Sequence, residues 1–182
     1  MPGFTIHIAV AKKYIEKHET EIKDTGEFIK GSIAPDMNEK LDKPSENKSE
    51  SHYGKWGKHE VETHIDEFLK DSKVNMNRDF WKGYFLHLIT DHYFYNKYFK
   101  QEHQEIIKND DRFYYDYDCL NKELIEKYKI NLIDNIKQFM NFYDGEPKYL
   151  KKEKVIDFIE QISNINIKEK IEIIKQKGME EL

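Results

Sequence analysis

Gly83-Tyr-Phe-Leu-His-Leu-Ile-Thr-Asp-His-Tyr-Phe-Tyr95 decides the reading of this chain. His87 and Asp91 are four residues apart, so on a helix they point the same way, one turn above the other. Phe80, Tyr84, Phe94 and Tyr98 share or flank that stripe. The imidazole and the carboxylate therefore sit among apolar neighbours. An ionised carboxylate in such a place is costly unless it is paired or bound to a cation. The bland explanation is a hydrogen-bonded pair inside a helical core. The sharper one is a metal site with further ligands elsewhere in the chain.

Helical periodicity extends outward from this stretch in both directions. Thr5 is placed to cap a first helix reaching about His18, with His7, Ala11 and Tyr14 inward. His18 falls in a polar run and reads as a surface residue. A short helix over 25–30, stopped by Gly31, leads to Gly31-Ser-Ile-Ala-Pro-Asp36. Pro35 keeps Ala34 out of the helical region and turns the chain sharply at Asp36. Residues 37–51 are strongly polar, without an apolar period, and read as a loop delivering His52 to the rim of ordered structure. A helix is expected over 58–69, with Val61, Ile65, Phe68 and Leu69 inward. On it, Glu60 and His64 form a second i, i+4 pair, and His59 points to solvent. The central helix is expected over about 80–99, capped by Asp79, with a shorter one over 101–108. Further helices are expected near 117–128, 132–142, 152–162 and 168–177. Leu132, Ile133, Ile136, Phe139, Met140 and Tyr143 form one of the core stripes. No convincing strand pair or repeat is present. The expectation is a single all-α domain over 1–182, a multi-helix bundle with its metal-binding elements within 1–95 and helical scaffold over 96–182.

Composition narrows the function classes. The 182 residues can bury a sizeable core, and 36% of them are charged. Thirty Lys and Arg against 35 Asp and Glu give a net charge of -5, which argues against a general grip on nucleic-acid backbone. Cys119 is the only cysteine, so no internal disulfide can form. No apolar run approaches a membrane span, and no signal peptide is apparent at Met1-Pro-Gly-Phe, so a cytoplasmic location is expected.

The ligand-type residues gather before residue 92: His7, Asp36, His52, His87 and Asp91. Imidazole and carboxylate are the usual non-thiolate ligands of zinc and similar divalent ions. They come from a helix start, a proline-rigid turn, a loop end and a mid-helix pair. Tyr53, Tyr84 and Tyr93 could donate to a phosphate, although packing is the commoner role for each.

The order and spacing of four motifs resemble the zinc-dependent phospholipase C family, itself related to the single-strand-specific zinc nucleases. The motifs are Thr5-Ile-His7, the Gly-x-x-x-Pro-Asp of Gly31 to Asp36, Ser51-His52, and His87-x-x-x-Asp91. The match covers the N-terminal half. The resemblance implies an all-helical fold and a cluster of divalent metals, most often zinc, that hydrolyses phosphate esters such as a phospholipid headgroup. It implies that Asp36, His52, His87 and Asp91 hold one ion, and that Asp91 reaches a second beside His7. Asp36 or Asp91, where not fully committed to metal, could accept a proton from a metal-activated water. The family's third ion is held by a His shortly after the Asp and by a later His-x-x-x-Glu. Here Lys97 stands six residues after Asp91 and no His-x-x-x-Glu follows, so one or two ions are expected. Two rival classes remain. One is a His-Asp-domain-like phosphohydrolase, against which the absence of a His-Asp dipeptide counts. The other is a non-enzymatic helical binding protein with a remnant metal site.

Overall fold

A long buried run in the first helix sets the centre of the molecule. The computed structural model describes residues 3–38, 41–56, 61–132 and 134–182. Helix α1 spans Phe4–Lys17, and every residue from Thr5 to Ala11 is buried. This half of the helix is covered on all sides because α2 (Thr25–Ile33), α5 (Asp79–Tyr93), α7 (Tyr114–Lys127) and α9 (Lys152–Ile162) all pack on it. Between them come α3 (Lys48–Ser51), α4 (Ile65–Lys70), α6 (Lys100–Lys108) and α8 (Asp134–Lys137), and α10 (Ile167–Lys177) closes the chain. The all-α architecture expected from periodicity is the observed one. A single small hairpin interrupts it: β1 (Gly54–Trp56) pairs antiparallel with β2 (Val61–Thr63).

The most extensive helix pair is α2 on α5, and two glycines make it so. A Cβ on Gly31 would lie 1.9 Å from the Phe80 carbonyl oxygen, and one on Gly83 would lie 2.0 Å from the Phe28 carbonyl oxygen. Only hydrogen fits at either place, so the backbones cross almost in contact. Gly31 is therefore not a stop signal. The helix runs through it to Ile33 before Pro35 tightens the chain into a single 3-10 turn over Ala34–Asp36.

Several boundaries differ from those expected. Gly3, not Thr5, caps α1; Thr5 is inside the helix and donates to Asn121 Oδ1 at 2.7 Å. Asp79 is the first residue of α5 rather than its cap. Its carboxylate instead accepts the backbone N–H groups of Lys23 and Asp24 and the Lys82 ammonium, tying the chain before α2 to α5. The central helix does not run unbroken to Phe99. A π turn over Phe94–Tyr98, closed by the Phe99 N–H on the Phe94 carbonyl at 2.8 Å, joins it to α6. The helix expected over 58–69 is a strand followed by α4, because His64 ends the hairpin and caps the next turn. Ile65 and Phe68 are buried there as expected, while His59 and Glu60 lie outside the described residues.

The helix expected over 132–142 shrinks to α8. Ile136 is buried, but Phe139 (37% exposed), Phe142 and Tyr143 face outward. The segment is instead held by the Asn121 amide on the Asn141 carbonyl and by the Tyr143 N–H on the Asp118 carbonyl. Periodicity described its apolar spacing correctly but not which side had a neighbour to pack on.

Candidate metal centre

α5 supplies the axis of the site. Gly83, His87 and Asp91 lie at successive i, i+4 positions, so the glycine that lets α2 approach stands one turn below the histidine that meets it. The His87 Nδ1–H donates to the Ser32 carbonyl of α2 at 2.8 Å. A carbonyl can only accept, so the proton is on Nδ1 and the Nε2 lone pair points away from α2. His52 is fixed in the same way: its Nδ1 lies 2.8 Å from the Lys48 carbonyl, one helical turn back. The two Nε2 atoms then face each other at 3.2 Å. Two imidazoles held by Nδ1–H on backbone carbonyls, with their Nε2 lone pairs converging, is the orientation that outer partners impose on metal-binding histidines.

Asp36 arrives from the 3-10 turn that Pro35 forces. Its carbonyl accepts the Ser45 N–H at 2.9 Å, which folds the following loop back over it. The Ser51 hydroxyl donates to the Pro35 carbonyl at 2.6 Å, pinning the turn to α3. Asp36 Oδ1 comes within 3.3 Å of His52 Nε2 and 4.0 Å of His87 Nε2. Asp91 divides its two oxygens. Oδ2 lies 3.4 Å from His52 Nε2 and 3.3 Å from His87 Nε2, while Oδ1 lies 3.3 Å from His7 Nε2. His7 reaches the site from the first turns of α1, with its ring stacked on that of His87 at 3.7 Å.

All five sequence-predicted residues are thus brought together, and each is 0–1% exposed. Among the described residues, the carboxylates of Asp36 and Asp91 meet the imidazoles of His7, His52 and His87 only at 3.3 Å or more, longer than a good hydrogen bond. A divalent cation would bind these buried atoms more closely. Ligand atoms about 2.0–2.1 Å from a tetrahedral ion stand about 3.3 Å from one another, close to the distances above. Among the described residues, two groups have ligand atoms near enough to hold an ion: His7, Asp36 and His87; and His52, His87 and Asp91. The donor set of imidazole and carboxylate suits zinc, iron or manganese better than a hard cation such as calcium.

Comparison with protein-family models, curated proteins and solved structures finds no match to this chain.

The electrostatics of the ion-free centre follow from crowding two carboxylates with three imidazoles. Burial, and then the neighbouring His87, push His7 down to about 4, so its ring is neutral and able to bind through nitrogen. Burial alone would raise Asp36, but His87, the His52 contact and Lys48 outweigh it and hold the carboxyl at about 2. Asp91 is held well below the usual carboxylate range by His87 and His7 against the same burial. Burial would lower His87, yet Asp91 and Asp36 beside it raise it. A proton on His87 is what offsets the carboxylates when no ion does, so protons and a divalent cation compete for the same centre.

Several sequence-predicted positions differ from expectation. His52 is not at a rim: it is fully buried, because α3 and the hairpin close over it. Tyr53, which follows it, adopts a left-handed backbone with φ 52°, a conformation uncommon for an aromatic residue and found disproportionately at functional sites. The Tyr53 hydroxyl donates to Asp71 Oδ2, that of Tyr84 to the Ser51 carbonyl, and that of Tyr93 accepts the Lys170 ammonium. None of the three is turned to the centre for a phosphate. His18 stacks on Tyr14 at 4.1 Å rather than standing in water, and His64 sits 3.7 Å from Glu62 on the hairpin. Sequence reasoning missed Ser32 and Lys48, whose backbone carbonyls orient the two histidines; a carbonyl leaves no residue-type signal. It also missed the glycine pair, which was readable: Gly83 stands four residues before His87 and Gly31 five before Asp36.

A cavity of about 730 Å³ is lined by sequence neighbours of the ligands, though by none of the five ligands themselves. Ala34 and Met37, on either side of Asp36, line it together with Ser51, next to His52, and Tyr84, three residues before His87. Phe80, Trp81 and Tyr53 complete an aromatic wall.

Proposed function

We propose that this chain is a metal-dependent hydrolase of phosphate esters, with one or two divalent ions held by His7, Asp36, His52, His87 and Asp91. The observation that carries the metal is the pair of Nε2 atoms of His52 and His87 facing each other at 3.2 Å with the buried carboxylates of Asp36 and Asp91 beside them. Zinc is the favoured ion. The ordered resemblance of the ligand motifs to the zinc-dependent phospholipase C family supports phosphate ester as the substrate class, a phospholipid headgroup or a small phosphoester among them. The cavity lined by Ala34, Met37 and Ser51, sequence neighbours of Asp36 and His52, supports it further as a place for an ester.

A divalent ion here supplies Lewis acidity toward a phosphoryl oxygen and activates water. The chain's own residues do the rest. His52 and His87 are locked by Ser32 and Lys48, so they need no reorganisation to bind. Asp91 is engaged at both oxygens, by His7 on one side and by the two histidines on the other. Asp36 uses Oδ1 toward the histidines, which leaves Oδ2 as the better proton acceptor; of the two carboxylates, we assign that role to Asp36.

A second reading rests on burial. With every ligand side chain at most 1% exposed, the centre has the closed character of a structural ion site, which would make the chain a metal-stabilised binding protein. Metal analysis of the purified protein, followed by a phosphoester panel on the metal-loaded form with a chelator control, separates the two. Chelator-sensitive turnover supports the hydrolase. Stoichiometric metal without turnover on phosphomonoesters, phosphodiesters or phospholipid supports the structural site.

A further inference from the structure

The aromatic wall of the cavity stands beside a charge imbalance that the metal centre does not use. Tyr53, Phe80, Trp81 and Tyr84 meet there at steep angles. The ring centroids of Phe80 and Trp81 are 5.2 Å apart at 87°, those of Phe80 and Tyr84 6.3 Å apart at 58°, and those of Tyr53 and Tyr84 6.4 Å apart at 77°. The Tyr84 hydroxyl donates to the Ser51 carbonyl and that of Tyr53 to Asp71. With those donors committed, the two phenols offer a ligand ring surface rather than an O–H. Elsewhere in the molecule lysines lie over ring faces, Lys97 over Tyr93 at 4.6 Å and Lys154 over Phe99 at 4.8 Å. Among the described residues no lysine or arginine lies over the four rings of this wall.

Three carboxylates and two ammonium groups line the same cavity. Lys30 pairs with Glu27 at 2.9 Å and Lys43 with Glu46 at 2.5 Å. Glu50 is left over. Its Oε2 accepts the Asn47 side-chain amide at 3.1 Å, and among the described residues no ammonium or guanidinium lies within 4 Å of it. Burial foremost, with the Glu50 carboxylate among the nearby charges, pushes the Tyr53 and Tyr84 hydroxyls up, so both phenols stay neutral. A lining with one net negative charge beside ring faces favours a positive ligand. A hard metal ion needs several oxygen ligands, and the wall supplies none. An ammonium without N–H groups gives up no hydrogen bond to water on reaching the rings, and aromatic enclosures are the usual recognition device for it. We propose that this cavity binds a small quaternary ammonium ion, seated on the faces of Trp81 and Tyr84 with Glu50 as its counter-charge. None of the five metal-centre residues lines the cavity, so the proposal does not rest on the metal reading.

Tetramethylammonium is the probe, titrated at constant ionic strength into the purified protein. Occupancy is read by NMR from the Trp81 indole N–H signal, identified by its loss in Trp81→Phe. The expected result is a saturable shift in wild type, about threefold weaker binding in Glu50→Gln and about tenfold weaker binding in Trp81→Leu. Glu50→Lys, which brings its own ammonium to the wall, should abolish binding. Glu50 is exposed, so both of its variants should melt with wild type. Methylammonium should bind more weakly than the probe, and tert-butanol, neutral and of similar size, should not saturate. No saturable binding by wild type overturns the proposal. Equal binding of tert-butanol does so too, because the cavity would then be merely apolar. Methylammonium binding as tightly as the probe would make Glu50 an acceptor for N–H groups and overturn the quaternary assignment. Affinity unchanged in both Glu50→Gln and Glu50→Lys overturns it equally, even if Trp81→Leu fails to fold. Phosphoester turnover plays no part in this readout, so loss of the hydrolase reading leaves the result standing.

Discussion

Gly31 of α2 packs against the backbone of α5 at Phe80, and Gly83 of α5 packs against the backbone of α2 at Phe28, so the two glycines together hold close the segment ending in Asp36 and the helix bearing His87 and Asp91. Gly83→Ala tests it with two opposed effects. Alanine favours the helix by about 1 kcal/mol. The new methyl meets the Phe28 carbonyl at 2.0 Å, and backbone cannot swing aside as a side chain would. Overpacking of this kind costs about 1–3 kcal/mol and often more. The variant should melt lower and bind metal more weakly. A variant as stable as wild type, or more stable, would mean the helices are further apart.

Metal content is expected to depend unequally on the five ligands. His87→Ala and Asp91→Ala should each lower affinity by at least about 100-fold, beyond the 10–100-fold typical of outer partners. His52→Ala should do the same, since His52 is as buried as His87. The other described group, His52, His87 and Asp91, does not need His7, so His7→Ala should retain one ion per chain. His18→Ala should retain all. Elemental analysis after exhaustive dialysis decides it: full metal in His87→Ala would remove the α5 pair from the centre.

Removing the ion should lower stability. A ligand at 100 times its dissociation constant stabilises a fold by about 2.7 kcal/mol. Chelation should therefore shift the melting temperature downward, and zinc should restore it. His87→Ala should be less stable than ion-free wild type, because it leaves Asp91 without its closest cationic partner. Breaking a buried pair in this way costs about 3–5 kcal/mol. A melting temperature indifferent to chelator would mean that nothing binds there.

The pH dependence has opposite signs with and without the ion. In the ion-free protein His87 is raised by Asp91 and Asp36. The stability it contributes is fully present below about 6.5, its unfolded value, and is lost as pH rises through the higher folded value. Metal binding runs the other way, because the ion displaces that proton; affinity should rise with pH until His87 is neutral. Denaturant melts of chelated protein and zinc titrations across pH 5–8 check both slopes. Parallel slopes would contradict the competition.

Asp79 offers an acid-side test away from the centre. The Lys82 ammonium and the N–H groups of Lys23 and Asp24 hold its carboxyl below the usual range despite partial burial. Its contribution is present above about 3.9, the unfolded value, and is lost as pH falls through the folded one. Asp79→Asn should destabilise by about 1–3 kcal/mol at pH 7, and the gap from wild type should close below about pH 4. A gap independent of pH would assign the effect to packing.

Local pattern carried much of this protein in its sequence. Apolar residues at a period of 3.6 announce helices whatever they pack on, which is why α1, α5, α7, α9 and α10 were legible. A His and an Asp one turn apart in an apolar helix announce a buried polar pair needing partners. The ligand types at His7, Asp36 and His52 could be named because few side chains bind divalent ions.

Only the tertiary structure decided what depends on separation in space. The polar stretch before His52 reads as a loop, yet α3 and the hairpin bury its last residue completely; nothing in residues 37–51 encodes the surface that covers them. The stripe through Phe139 and Tyr143 has core spacing, but both side chains stay exposed, so periodicity overreached there. The contact between Lys48 and Asp36 joins residues on separate elements, and so do the two Nδ1 bonds that turn His52 and His87 toward one point. Residue types and spacings are properties of the chain and survive in its sequence. The convergence of five side chains on a volume a few ångströms across is a property of how helices cross, and the close α2–α5 crossing at Gly31 and Gly83 is part of it.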